Sequence, residues 1–124
     1  MDNAFRARLY AFTLRLIAYV RSLPSDFVSH RMGDQLIRSG TSIIANMTEG
    51  GSAASRRDYA NYTNHALKSA NETHLWLSLL QDSGLRTAES EWLTREVSEI
   101  SRILAATLIT LRRSLRDRPK RTGS

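Results

Sequence analysis

The 124-residue chain contains no cysteine. That excludes disulfides, thiolate zinc sites and a cysteine nucleophile, and it is compatible with a cytoplasmic protein. Long apolar runs are also missing. The N-terminus, MDNAFRARLYAFTLRLIAYV, is interrupted by Arg6, Arg8 and Arg15. A signal peptide needs an unbroken apolar centre, and a membrane-spanning helix needs about 18 to 20 apolar residues. A soluble, cytoplasmic protein with no membrane partner is therefore expected. Lysine is scarce: Lys68 and Lys120 stand against sixteen arginines, and the formal charge is +6. A basic balance favours polyanionic partners, although genome base composition accounts equally well for the arginine-to-lysine ratio alone.

No strand alternation competes with helical spacing anywhere. The first helix is expected from about Asn3 to Ser22, with Phe5, Leu9, Phe12, Leu16 and Tyr19 spaced four and three apart as the seam of a bundle helix. Pro24 forces the stop. The second helix is expected from Val28 or Arg31 to Gly50, and the Gly50-Gly51-Ser52 stretch breaks it. The third begins at Ser55, an N-cap with Asp58 three residues on, and continues to Gln81 before Gly84. The fourth follows Thr87, with Glu89 and Glu91 near the N-terminal dipole. It carries Leu93, Val97, Ile100, Leu104, Leu108 and Leu111. Short connections between helices of matched length make neighbours antiparallel. The expected fold is an all-α, up-down-up-down four-helix bundle over residues 1–115, with a basic, disordered tail over 116–124.

The second helix has little charge of either sign. IRSGTSIIANMTEG, residues 37–50, contains only Arg38 and Glu49 as charged residues. Its polar stripe, Gln35, Ser39, Ser42, Asn46 and Glu49, consists of small uncharged groups until its last member. Such groups let helix backbones approach closely and can be buried when hydrogen-bonded. The stripe is therefore read as covered, and a second copy of the chain is the simplest cover. Ser39, Ser42 and Asn46 are the expected oligomer interface. A plain serine-rich surface is the alternative.

Ile37-Arg38-Ser39, Ala45-Asn46 with Glu49-Gly50, and Ala70-Asn71-Glu72-Thr73 with Trp76-Leu77 occur in this order along the chain. On these residues the sequence resembles the four-helix-bundle family encoded in 23S ribosomal RNA intervening sequences. It is also similar to the accessory variability determinant proteins of diversity-generating retroelements. The likeness spans roughly residues 5–115. It departs from the commoner pattern at Lys68, where many members have glycine, and at Asn71, often alanine. The resemblance implies a homopentamer, often a ring with a central channel, without catalytic activity and with nucleic-acid binding as the role best supported among relatives.

An up-down-up-down bundle gathers the N-terminus, the second turn and the C-terminus at one end. Arg6, Arg8, Arg56, Arg57, Arg112, Arg113, Arg116, Arg118, Lys120 and Arg121 lie near that end, against Asp2, Glu49, Asp58 and Asp117. The whole net charge falls there. A five-membered ring would concentrate about thirty unit charges on one face, a strong field for a polyphosphate at low salt. Most aromatics fall on core stripes, so backbone and shape recognition of nucleic acid, RNA above all, is expected. An oligomeric scaffold for a protein partner is the alternative function, and a solubilising tail the alternative role for the terminal charges.

No catalytic or cofactor chemistry is legible. A di-metal bundle needs Glu-x-x-His pairs, and none occurs; His30, His65 and His74 have no partner at a ligand spacing. The chain reads as a non-enzyme with no metal and no cofactor. Reflecting the second helix onto the third about Ala53 sets Glu49 opposite Arg57 and brings Glu72 within about one turn of Arg38. Arg38, Glu49 and Glu72 are expected to form partly buried, register-fixing pairs, so that Glu72→Ala would lower the melting temperature by several degrees, roughly in line with the cost of breaking a buried pair.

Overall fold

The structure is a computed structural model that describes residues 1–117. Its elements are α1 (Asn3–Arg21), α2 (Phe27–Gly51), α3 (Arg56–Leu80) and α4 (Ala88–Arg116), with one π-helical turn, Gln81–Leu85, between the last two. Each helix starts where a short polar side chain can accept an orphan N–H. Asp2 accepts from Ala4 and Phe5, Asp26 from Ser29, Ser55 from Asp58 and Thr87 from Ser90. Asp26 carries the start of α2 forward to Phe27, earlier than the sequence pattern suggests. The reciprocal capping box forms at Thr87, whose N–H donates to Ser90 Oγ at 2.8 Å. Gly84, at φ +104°, ends the π turn, a backbone region that side chains with a Cβ rarely adopt. Arg116 closes α4 and Asp117 caps it. The rest of the expected tail, with Arg118, Lys120 and Arg121, lies outside the described residues.

The core is one cluster drawn from all four helices, including Leu9, Phe12 and Leu16 of α1, Leu36, Ile43 and Met47 of α2, Leu77 and Leu80 of α3, and Val97, Ile100 and Leu104 of α4. Among the described residues there is no strand, and no helix is long and apolar enough to cross a membrane.

The α2–α3 seam answers the question raised by the undercharged helix. Ser39 is only 3% exposed, and its hydroxyl is hydrogen-bonded to that of Thr73 at 2.9 Å. One turn along, Ser69 Oγ donates to Ser42 Oγ at 3.0 Å, and Asn46 Nδ2 donates to the Ser42 carbonyl at 2.8 Å. Within the chain, the third helix covers Ser39 and meets Ser42, whereas Asn46 bonds only within its own helix, and Ser42 and Asn46 stay partly exposed. Hydroxyl and alanine side chains let the two backbones approach, and each satisfied hydrogen bond contributes about 0.5 to 1.5 kcal/mol net. A charged stripe could not be paired across so narrow a seam.

Along this seam Ser39 meets Thr73 while Ser42 meets Ser69. The contacts therefore climb α2 as they descend α3. Arg8 with Glu96 and Arg15 with Glu89 do the same between α1 and α4. Gly33 lies against Val20 and Leu23, and Gly40 against Leu16, so α1 docks where α2 has no side chain.

On its other flank α1 is held by charge. Arg15 reaches Glu89 through two hydrogen bonds of 2.9 and 2.8 Å and stacks 3.4 Å above the Trp92 ring. Hydrogen bonding from Arg15 holds the Glu89 carboxyl below the ordinary glutamate range. The stability this pair adds is thus fully present above the usual carboxylate pKa and is lost as pH falls through the lowered folded value. Both side chains are more than a third exposed, so solvent screening keeps the contribution small. Melting temperatures of the wild type and Glu89→Gln should differ by a few degrees at neutral pH and converge in acid. A gap that persists in acid would assign the effect to uncharged packing of the side chain instead of the ion pair.

Candidate nucleic-acid interface

Met1, the α2–α3 turn and the end of α4 meet around one open cleft of about 390 Å³, lined among others by Ala53, Ser55, Arg56, Tyr59 and Leu111. Gly50 makes the close turn possible. A Cβ there would lie 3.1 Å from both Tyr59 and Tyr62, which pack against it and stay half-buried. The end of the molecule expected to be basic is therefore assembled from three separate parts of the chain.

The structure divides the described members of the expected basic set into four groups. Arg6, Arg57, Arg112 and Arg113 are exposed and enter no ion pair among the described residues. Arg56 is also exposed and is hydrogen-bonded to the Ser114 hydroxyl, tying the first turn of α3 to the last of α4. Arg116 is exposed beside Asp117 at 3.3 Å.

Arg8 differs. Its guanidinium makes two hydrogen bonds to Glu96, of 2.9 and 2.6 Å, and the carboxylate it neutralises is only 16% exposed. Glu96 raises the Arg8 pKa, chiefly through that hydrogen bond. Arg8 is a strut between α1 and α4 rather than a free cation. The sequence reading missed this because Glu96 is remote in the chain.

The acids at this end also have places. Asp2 is committed to the N-terminus of α1, where Oδ1 accepts from Ala4 N at 2.6 Å. Glu49 and Asp58 line a different groove of about 500 Å³, on the α2–α3 side, with Asn61, Tyr62 and His65. Glu49 and Asp58 thus line a groove that adjoins the Arg56 cleft at Ala53 and Ala54 but do not line the cleft itself. Among the described residues no group of three or more His, Asp and Glu is placed to hold a metal ion.

The two register-fixing pairs are not formed. No ion pair joins Glu49 to Arg57 or Glu72 to Arg38 among the described residues. The turn extends through Ser55, so the reflection centre lies about two to three residues beyond Ala53, and Glu49 falls beside Tyr62 and His65 instead. Arg38 and Glu72 stand at similar heights, but Ser39 and Thr73 occupy the seam and both long side chains are exposed. Among the described residues, Glu72 only accepts a 3.3 Å hydrogen bond from Trp76 on its own helix. Glu72→Ala should therefore leave stability within about 0.5 kcal/mol of the wild type, checked by thermal denaturation. A drop of several degrees would restore the buried pair.

Two exposed aromatics were not evident from the seam pattern: Tyr10, 60% exposed, and Phe27, 72% exposed. Tyr10 lies off the Phe5-to-Tyr19 stripe, and that was the available signal. With Ala7, Ala11 and Leu14 it lines a shallow apolar face on the outside of α1.

Comparison with known proteins places this architecture. Residues 2–106 match the family model described as 23S rRNA-intervening sequence protein. A crystal structure of a protein of unknown function from the S23 ribosomal protein family of Bacteroides thetaiotaomicron is 34% identical. It superposes with a TM-score of 0.74, covering 83% of this chain and 96% of that one. No curated protein matches the chain.

Proposed function

Since the chain belongs to the 23S rRNA-intervening sequence protein family, we propose that it is a non-catalytic, cytoplasmic, nucleic-acid-binding homo-oligomer. Its ligand is RNA, held through the phosphate backbone at the end where α1 begins and α4 finishes. The observation that carries this reading is that Arg6, Arg56, Arg57, Arg112 and Arg113, all exposed, belong to the three chain segments that meet at one end, where Arg56 lines the cleft, while Glu49 and Asp58 line a neighbouring groove. Guanidinium forks suit phosphate oxygens, and a cleft built from helix ends offers no groove-reading element.

Self-assembly is part of the proposal, as the five-membered ring implied by the family resemblance. Support comes from surfaces other than the serine stripe. The outer face of α1 presents Ala7, Tyr10, Ala11 and Leu14, and a second set of exposed apolar residues, Phe27, Val28, Leu75 and Leu79, belongs to α2 and α3. An apolar face on α1 and unlike apolar residues exposed elsewhere suit a head-to-tail contact, the kind that closes rings. The antiparallel bundle supported by the seam pairings would then bring the arginine ends of all protomers to one side. The same apolar faces are what a protein-scaffold reading would use, and that remains the second reading.

One preparation separates the two. Light scattering of the purified chain should give a multiple of the 14.0 kDa protomer mass. A single-stranded RNA titration should show affinity falling steeply with salt, with a log–log slope of about −0.7 per phosphate contacted. A salt-insensitive affinity together with a co-purifying protein would favour the scaffold.

A further inference from the structure

We propose that the cleft between the end of α1 and the first turns of α2 binds a phosphate monoester, the terminal phosphate of a nucleotide. This site is at the opposite end of the helices from the arginine cleft and does not depend on the RNA reading. The cleft encloses about 440 Å³, within the usual range for a small-ligand pocket. Its lining has two parts. Val20, Leu23 and Ile37 supply an apolar wall, and Arg21, His30 and Arg38 supply donors.

The donors are available. Neither Arg21 nor Arg38 enters an ion pair among the described residues, and both are exposed. Among the described residues, Asp34 is the only acid in the lining. Asp26, close by in sequence, is committed to capping α2, where Oδ1 accepts from Ser29 N at 2.8 Å and Oδ2 from Ser29 Oγ at 3.0 Å. Two guanidinium forks and one imidazole N–H from different turns suit the three oxygens of a terminal phosphate, which a single cation would not hold in one orientation.

The apolar wall selects for a body attached to that phosphate. Its depth follows from Gly33, where an added Cβ would come within 3.2 Å of Val20, so the α2 backbone lies directly against α1 below the cleft. A ribose and base against Val20, Leu23 and Ile37 would cover this surface, whereas free phosphate would leave it wet. Arg38 thereby gains a role that the missing pair with Glu72 left open.

The test is a calorimetric or NMR titration of the full chain with adenosine 5′-monophosphate, adenosine and inorganic phosphate. The monophosphate should bind saturably and more tightly than either fragment. Arg21→Gln and Arg38→Gln should each weaken it about tenfold, the loss of one charge-assisted contact. Arg31→Gln, an exposed arginine on the same helix outside the cleft, should leave it unchanged. A strand end is distinguished from a free nucleotide by comparing 5′-phosphorylated and 5′-hydroxyl oligonucleotides: a gain lost in Arg38→Gln identifies the strand end, and no gain identifies the free nucleotide. Absence of saturable binding, equal affinity for adenosine, or equal loss in Arg31→Gln would overturn the site. RNA binding at the arginine cleft is read separately, because Arg57→Gln should not affect the monophosphate.

Discussion

Replacing Arg56, Arg57, Arg112 and Arg113 by glutamine is expected to make the salt dependence of RNA binding shallower by about 2.8 log units per log unit of salt. Four phosphate contacts are removed, each worth about 0.7 on a single strand. Between roughly 50 and 200 mM salt the wild type should then lose about fiftyfold more affinity than the variant. The four residues are exposed, and their only side-chain bond among the described residues is from Arg56 to Ser114. The variant should therefore fold, and circular dichroism before each titration checks that. Arg8→Gln is the informative contrast. It breaks the pairing with Glu96, so it should lower the melting temperature while leaving the salt slope almost untouched. An unchanged slope in the fourfold variant would remove the arginine cleft from the interface. A slope reduced equally by Arg8→Gln would show that helix docking, not phosphate contact, sets the affinity.

The second large effect concerns two glycines of α2 and differs in sign between them. A Cβ at Gly40 would lie 2.0 Å from Leu16 Cδ2. That methyl is the mobile end of a leucine, but Leu16 is fully buried among the core residues and has little room to turn. Gly40→Val should cost about 2 to 3 kcal/mol, because overpacking outweighs the few tenths gained by replacing glycine in a helix. Gly51, at the end of the same helix, has nothing within 4 Å of its would-be Cβ and no positive φ. Gly51→Ala should stabilise by about 0.4 to 1 kcal/mol through the unfolded chain's lost freedom. Thermal denaturation of both variants decides. If Gly40→Val melts with the wild type, α1 is not seated on α2 as described, and the close approach through Gly33 comes into question with it.

These outcomes also show how far local pattern can be read. Helix positions and most core residues were legible because they follow from spacing: Leu9, Phe12, Leu16 and Tyr19 recur at four and three, and burial follows that period. Ser55 and Thr87 were legible because an N-cap is a local bond. The use of each charged residue was not. Arg8 and Glu96 are 88 residues apart, and nothing near either announces the other. Arg38 and Glu72 were placed at nearly the right relative height, yet height along a bundle does not say which way a side chain points.

The undercharged helix marks the same boundary. A stripe of small hydroxyl and amide groups states that something comes close, because water alone would favour longer charged side chains there. It cannot state what comes close, since a helix of the same chain and a helix of another present the same requirement. Composition and period alone determined that this protein is helical, with four segments that start and stop at local signals. The packing of α3 onto α2 decided that Ser39 and Thr73 meet within one molecule. It also left Arg38 at the edge of an open cleft. Contacts of that kind depend on helix rotation and on the length of one turn, which periodic spacing does not encode.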